Sequence, residues 1–433
     1  MKFIFADALD MVDPRYDFVA DESPRERRPY WDDQYPHELL GFAPYDGVLV
    51  SRGIVGDHRF KGKYSASQSM RFSRVGAREF LRLGQGRLAT LPIFGDCGAF
   101  SYVDFAVPPY KPEEMVEFYE HGHFTHGCSV DHIIFDFDRN ARGMEGGTSS
   151  ARERFEITLE NADHFLKVVR QQKAPFTPLG VVQGWSPGSK AEAAKRLVAM
   201  GYDYIALGGM VPLNAQSIHA CLQAIFEVIP RKTRVHLLGF AKAEQIHEFA
   251  RYNIASFDTT SPLLRAFKDE RTNYYVLKDN GELDYYTAIR VPQALENARL
   301  MKAAKSGRVK QDMLAELEAA ALKALRAYDQ GLFPLSDTVN AVLAYSKWFT
   351  WDPNKSELDN DKVIWKVRGR LERTLRDRPW KACPCSICKQ LSIEVLLFRG
   401  NNRNRRRGFH NLTVFNRHVK GTLKQPIQEL ECL

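Results

Sequence analysis

The sequence predicts an α/β protein built on a parallel (β/α) barrel. Three observations lead there: six short apolar runs between Arg87 and Thr260, helix-period segments between most of them, and an Asp, Gly or Gln at the end of the runs. The runs are Ala89–Phe94, His132–Phe137, Leu179–Val182, Tyr204–Leu207, Val235–Leu238 and Ile254–Phe257, and Gly47–Val50 supplies an earlier strand. Helical patterns cover Ala151–Gln172, Lys190–Met200, Ala215–Val228 and Ala243–Tyr252. Near-continuous apolar strands alternating with helices belong to a parallel sheet with a helical cover. A doubly wound open sheet is the alternative, but no glycine-rich dinucleotide fingerprint follows a first strand. In both folds ligands bind at the C-terminal strand ends, here Asp96, Asp136, Gln183, Gly208, Gly209, Gly239 and Asp258.

After Asp258 the alternation stops. Tyr274–Val291 reads as a hairpin around Asn280-Gly281, a pair suited to a type I′ turn. Pro292–Gly331 is mostly helical, an insertion expected to pack on the barrel. The expected division is residues 1–270 for the main part of the barrel, 271–345 for the hairpin and helical insertion, and 346–433 for a basic metal-binding subdomain with a closing helix.

A chain of 433 residues accommodates a barrel of roughly 250 with additions. Hydrophobic residues at 44% and charged residues at 26% exclude a disordered or collagen-like chain. No apolar run approaches the roughly 18 residues of a membrane span, and Asp7 and Asp10 interrupt any leader-like stretch. A soluble, unexported protein with no membrane partner is expected. The group Cys383, Cys385 and Cys388 suits metal ligation in a reducing compartment, so the expected location is the cytoplasm. Net charge is +8, yet residues 361–433 hold 17 Lys and Arg against 6 Asp and Glu, or +11, leaving −3 for the rest. A basic module that meets a polyanion would distribute charge this way.

Cys383-Pro-Cys385-Ser-Ile-Cys388 followed by His410 gives Cys-x-Cys-x2-Cys-x21-His. Three thiolates and an imidazole complete a tetrahedral Zn²⁺ shell with no open position, so the expected cofactor is structural zinc. His418 is the alternative fourth ligand. Arg399, Arg403, Arg405, Arg406 and Arg407 lie inside the metal loop. A loop closed by zinc would hold their guanidiniums ready for a nucleic-acid backbone. His121-Gly-His123-Phe-Thr-His126 offers three histidines but no carboxylate or helix-period pair, and reads as a loop.

Gly95-Asp96-Cys97-Gly98-Ala99-Phe100, Val181-Val182-Gln183-Gly184, Ala206-Leu207-Gly208-Gly209, Ser256-Phe257-Asp258 and the Cys3His pattern occur in that order. The ordered set resembles the tRNA-guanine transglycosylase superfamily, over roughly Leu91–Val419. The resemblance implies a (β/α)8 TIM-type barrel with a zinc subdomain and a base-exchange reaction. It implies Asp258 as nucleophile and Asp96 as general acid/base. It also implies that Asp136 and Gln183 bind the purine edge, with Gly208 and Gly209 alongside and a backbone amide from Gly209, and that Phe100 and Leu238 sandwich the base. Asp136 and Asp138 share one strand end, and Asp136 is preferred. Ala99 and Ser101 depart from the family's Gly and Gln, and Leu238 stands where bacterial tRNA enzymes carry Met. Thr259–Arg265 lacks the run those enzymes use around the tRNA target. With the helical insertion and Phe5–Asp13, the chain looks most like the DpdA-type 7-deazaguanine DNA transglycosylases. That resemblance implies DNA as partner, 7-cyano-7-deazaguanine (preQ0) as incoming base, and an ATPase-like helper protein. The alternatives are a tRNA enzyme inserting a 7-deazapurine and a non-catalytic nucleic-acid-binding subunit.

The residue types suit that chemistry. Breaking an N-glycosidic bond leaves an oxocarbenium-like sugar that a carboxylate can trap, while a second acid protonates the leaving base. A stacked guanine must be flipped out, at a few kcal/mol, or met in an opened strand. No redox cofactor or ATP is expected, since one glycosidic bond replaces another.

Overall fold

Eight short segments become parallel strands: β1 (Lys2–Ala6), β2 (Gly47–Ser51), β3 (Ile93–Asp96), β4 (His126–Cys128), β5 (Thr177–Val182), β6 (Tyr204–Leu207), β7 (Arg234–Leu237) and β8 (Ile254–Thr259). Each pairs with the next and β8 returns to β1, which closes the barrel. The computed structural model describes residues 1–240, 242–268 and 271–422. Inside the barrel Ile4, Leu49, Phe94, Cys128, Leu179, Val181, Tyr204 and Ala206 form a buried cluster. Inward side chains therefore fill the centre, and ligand chemistry is left to the strand ends.

Helices Ser149–Gln172, Pro187–Met200 and Ala215–Val228 lie where the periodicity places them. Their starts follow from capping. Thr148 accepts from the Ala151 amide, Ser186 from that of Ser189 with Pro187 in the first turn, and Asn214 from that of Ser217.

Three local expectations are corrected. His132–Phe137 is not a strand, since the fourth strand is His126–Cys128. Backbone amides after it turn to side chains: His132 donates to Thr158 Oγ1 at 3.0 Å and Ile134 to Gln183 Oε1 at 3.3 Å. In place of a helix across Ala243–Tyr252 there is a 3₁₀ segment, Ala243–Phe249. The hairpin exists as β9 (Tyr274–Leu277) and β10 (Leu283–Tyr286), but its turn is not type I′. Gly281 has φ 83°, Asn280 has no positive φ, and the Gly281 amide donates to Lys278 O at 2.9 Å. That is a three-residue loop with its glycine in the left-handed position.

The structure divides into two units. One holds Met1–Asp10 and Tyr45–Thr260, with the last described turn from Val419; the other holds Met11–Pro44 and Ser261–His418. This differs from the expected boundaries at 270 and 345. The insertion and the Cys3His region form one unit, which also takes in residues 11–44. Residues 423–433, the end of the third expected domain, lie outside the described residues. No helix among the described residues is long and apolar enough to cross a membrane.

The five arginines correct the expectation of a phosphate-facing loop. From Asn401 the segment is a helix, Asn401–Thr422, and Arg399, Arg403, Arg406 and Arg407 are buried while Arg405 is half-buried. Arg399 and Arg403 pair with Asp21, and Arg403 also meets Glu394 at 2.8 Å. Arg405 donates to Met11 O at 2.7 Å and Arg406 to Asp13 O at 2.9 Å. Arg407 donates to the carbonyls of Ala266, Val395 and Leu397. Buried carbonyls and carboxylates need donors, and a guanidinium supplies five in a rigid fork. These residues hold 11–44 and the helix together instead of presenting charge. Arg407→Leu should orphan three carbonyls and cost about 3 kcal/mol or more in chemical denaturation; a loss under about 1 kcal/mol would contradict this role.

Candidate active site

Asp96 ends β3 and Asp258 lies in β8, both at the C-terminal end of the barrel. Asp258 is buried, and its Oδ1 accepts from the Gly239 amide at 2.9 Å and from His236 Nε2 at 3.2 Å. Asp96 accepts from the Gly98 amide at 3.1 Å. Burial, then the charge of Asp131, then that of Asp258, push its carboxyl up to about 7, against the hydrogen bonds from Ser51 and Gly98. Two carboxyl groups at one barrel mouth thus differ in surroundings. The Asp96 carboxyl is raised toward neutrality, while Asp258 has two donors on one oxygen.

Asp131 is the residue that the sequence reading missed. It is buried, and its carboxylate lies within 4.8 Å of the ligand atoms of Asp96 and Cys97. Gln183 Nε2 donates to Asp131 Oδ2 at 2.6 Å, and Cys97 Sγ to Asp131 Oδ1 at 3.0 Å. Burial raises its pKa, partly offset by those bonds. Asp136, expected beside Gln183, is exposed and accepts from Thr148 Oγ1 at 2.8 Å, bracing the cap of the helix Ser149–Gln172. Asp138 is also exposed. The cause is where β4 ends. Because the strand stops at Cys128, the inward turn comes at Asp131, and no strand pattern in 132–137 signals it. The sequence itself shows only an acidic residue in Val130-Asp131-His132, and the burial of its neighbours emerges from the fold.

Gly208 and Gly209 pack on Gln183. A Cβ on Gly208 would lie 2.3 Å from Gln183 Nε2, and Gly209 has φ 67°. Lys190, wholly buried, donates to Gly208 O at 2.8 Å and fixes that peptide. Phe100 is 61% exposed; its ring centroid lies 6.0 Å from that of Phe135, itself exposed and not singled out by the sequence. Leu238 is half-buried against the barrel core. Such a mouth offers edge-reading amide and carboxylate groups beside open aromatic faces, a combination suited to a flat heterocycle.

In the second unit Cys383, Cys385, Cys388 and His410 form a group able to hold a metal ion. Their sulfurs lie 3.5, 3.4 and 3.4 Å from His410 Nδ1. Those are the edges of a tetrahedron around an ion with ligand bonds of about 2.0–2.3 Å. His410 Nε2 donates to Tyr275 O at 2.9 Å, which fixes the tautomer that leaves Nδ1 for the metal. His418, the alternative ligand, bonds Gly281 O instead. No metal group forms at His121, His123 and His126 among the described residues; His126 stacks on Phe94 at 4.2 Å inside the barrel. Cys385→Ser should lose bound metal by elemental analysis and lower the melting temperature; a variant that melts like the parent would mean the group is not structural.

Residues 109–285 match the family described as queuine tRNA-ribosyltransferase. A curated protein of Salmonella montevideo, named DNA-guanine transglycosylase, is 41% identical over 425 residues, covering 98% of this chain and 97% of its own length. With similarity along its whole length and the strand-end carboxyl groups in place, the chain belongs to the tRNA-guanine transglycosylase superfamily of pentosyltransferases, on the side of its DNA-guanine transglycosylases.

Proposed function

We propose that this protein exchanges guanine in DNA for a 7-deazaguanine base, preQ0, through a covalent sugar ester on Asp258. The observation that carries this reading is the contrast at the barrel mouth: an acid poised at about 7 beside a hydrogen-bonded carboxylate. The name of the Salmonella montevideo relative supports DNA as substrate. An extruded guanine places its edge on Gln183, Asp131 and the Gly208–Gly209 peptide, and its faces between Phe100 and Leu238. Asp258 attacks the anomeric carbon as Asp96 protonates the leaving base. The incoming base then returns its N9 proton to Asp96 and displaces the ester, so two displacements retain configuration.

Zinc at Cys383, Cys385, Cys388 and His410 is structural in this reading, since four protein ligands leave no position for substrate. The reaction takes place in the cytoplasm, and the resemblance adds an ATPase-like helper protein. The description of the matched family favours tRNA as the second reading.

Nucleoside mass spectrometry of DNA and tRNA from cells expressing the protein separates the two. Modified deoxyguanosine is expected; modification in tRNA alone would overturn the DNA reading. Asp258→Ala should abolish a denaturation-resistant protein–DNA adduct while the fold persists, and an adduct that survives places the nucleophile elsewhere. Because protonated Asp96 delivers the proton, adduct formation should fall as pH rises through about 7. Asp96→Asn should slow it by about 10²–10⁴ and remove that limb; a falling limb retained in the variant would assign the acid to another group.

A further inference from the structure

We infer that His236 is a positioning residue that governs how readily the sugar leaves Asp258, an inference that rests on the ester reading above. Both hydrogen bonds to the Asp258 carboxylate fall on Oδ1, from Gly239 N and His236 Nε2. Oδ2 accepts none from the described residues and is the oxygen left to bond the sugar. His236 is wholly buried, and its ring stacks on Phe94 at 5.1 Å. Its Nδ1 lies 2.6 Å from Ser256 Oγ, which lies 2.6 Å from the Tyr204 hydroxyl. Ser256 and Tyr204 are buried too.

One proton order satisfies the whole chain. Tyr204 O–H donates to Ser256, Ser256 O–H donates to His236 Nδ1, and His236 donates Nε2–H to Asp258 Oδ1. Ser256 thereby selects the tautomer that faces the carboxylate. The row is built into the barrel interior, where no bulk water competes with it.

The consequence differs between the two half-reactions. In the first, an Oδ2 lone pair forms the bond to C1′ as C1′–N9 breaks, and the departing guanine takes its proton from Asp96. Oδ1 then becomes an ester carbonyl and loses negative charge, so the bonds from His236 and Gly239 weaken. In the second, N9 of the incoming base bonds C1′ and its proton passes to Asp96. The C1′–Oδ2 pair returns to the carboxylate, and Oδ1 regains charge and both strong bonds. Donors on Oδ1 favour the free carboxylate over the ester. They hasten release of the sugar to the incoming base and keep the adduct from accumulating.

The test uses the full chain, a guanine-containing DNA oligonucleotide and a fixed concentration of free guanine, with the adduct measured by denaturing electrophoresis and intact mass. His236→Phe keeps an aromatic ring against Phe94 and removes the donor. It should raise the steady-state adduct fraction about tenfold, the worth of one charge-assisted hydrogen bond. His236→Gln, which retains an N–H donor, should stay near the parent level, and Ser256→Ala should shift the fraction in the same direction as His236→Phe. Simple structural damage lowers adduct and exchange together, so an adduct fraction that is unchanged or falls with the exchange rate in His236→Phe overturns the inference. An adduct that persists in Asp258→Ala overturns the ester reading instead. An adduct on Asp258 that is indifferent to residue 236 overturns only the role of His236.

Discussion

Hydrogen bonding between β1 and β8, with Ile4 beside Asp258 and Phe5 beside Thr259, closes the eight-stranded sheet. Closure converts a list of strand ends into a ring. Asp96, three strands round from Asp258 by way of β2 and β1, comes close enough for the two charges to interact. An open sheet with the same strands would hold these two carboxyl groups apart. The packed interior of Phe94, Tyr204 and their neighbours excludes water below the mouth. It also makes buried polar groups obligatory hydrogen-bonding partners.

The chemistry depends on making like groups unlike. Asp96, Asp131 and Asp258 are identical side chains, yet the first is raised toward neutrality by burial and by its acidic neighbours, the second is occupied by Gln183 and Cys97, and the third faces a donor pair. In the proposed base exchange one carboxyl group serves as acid and then base and another as nucleophile and then leaving group, and differences of environment are what would separate the two roles.

The basic C-terminal region shows the opposite use of charge. Carboxylates of Asp21, Glu318 and Glu394 and a set of main-chain carbonyls absorb the arginines, and these bonds assemble the second unit from segments distant in sequence. Charge counted along a chain therefore does not state which charges reach solvent. Beside them the Cys3His group, able to hold a metal ion, brings the short turn of Cys383–Cys388 against the helix that carries His410.

By itself the sequence determined the strands whose apolar runs are long enough to be buried on both faces, such as Tyr204–Leu207, and the helices whose caps it writes in Thr148, Ser186 and Asn214. It also pointed to the Cys3His group, since three of its four candidate ligands fall within the six residues Cys383–Cys388. Tertiary structure alone decided that Asp131 and not Asp136 meets Gln183, because the end of β4 is set by hydrogen bonds to Thr158 and Gln183, residues remote in sequence. It likewise decided that arginines written as a basic run turn inward, and that a histidine stands behind Asp258. Periodicity reports which face of an element is apolar; which polar groups lie opposite one another across a closed barrel depends on register and burial, which no local pattern encodes.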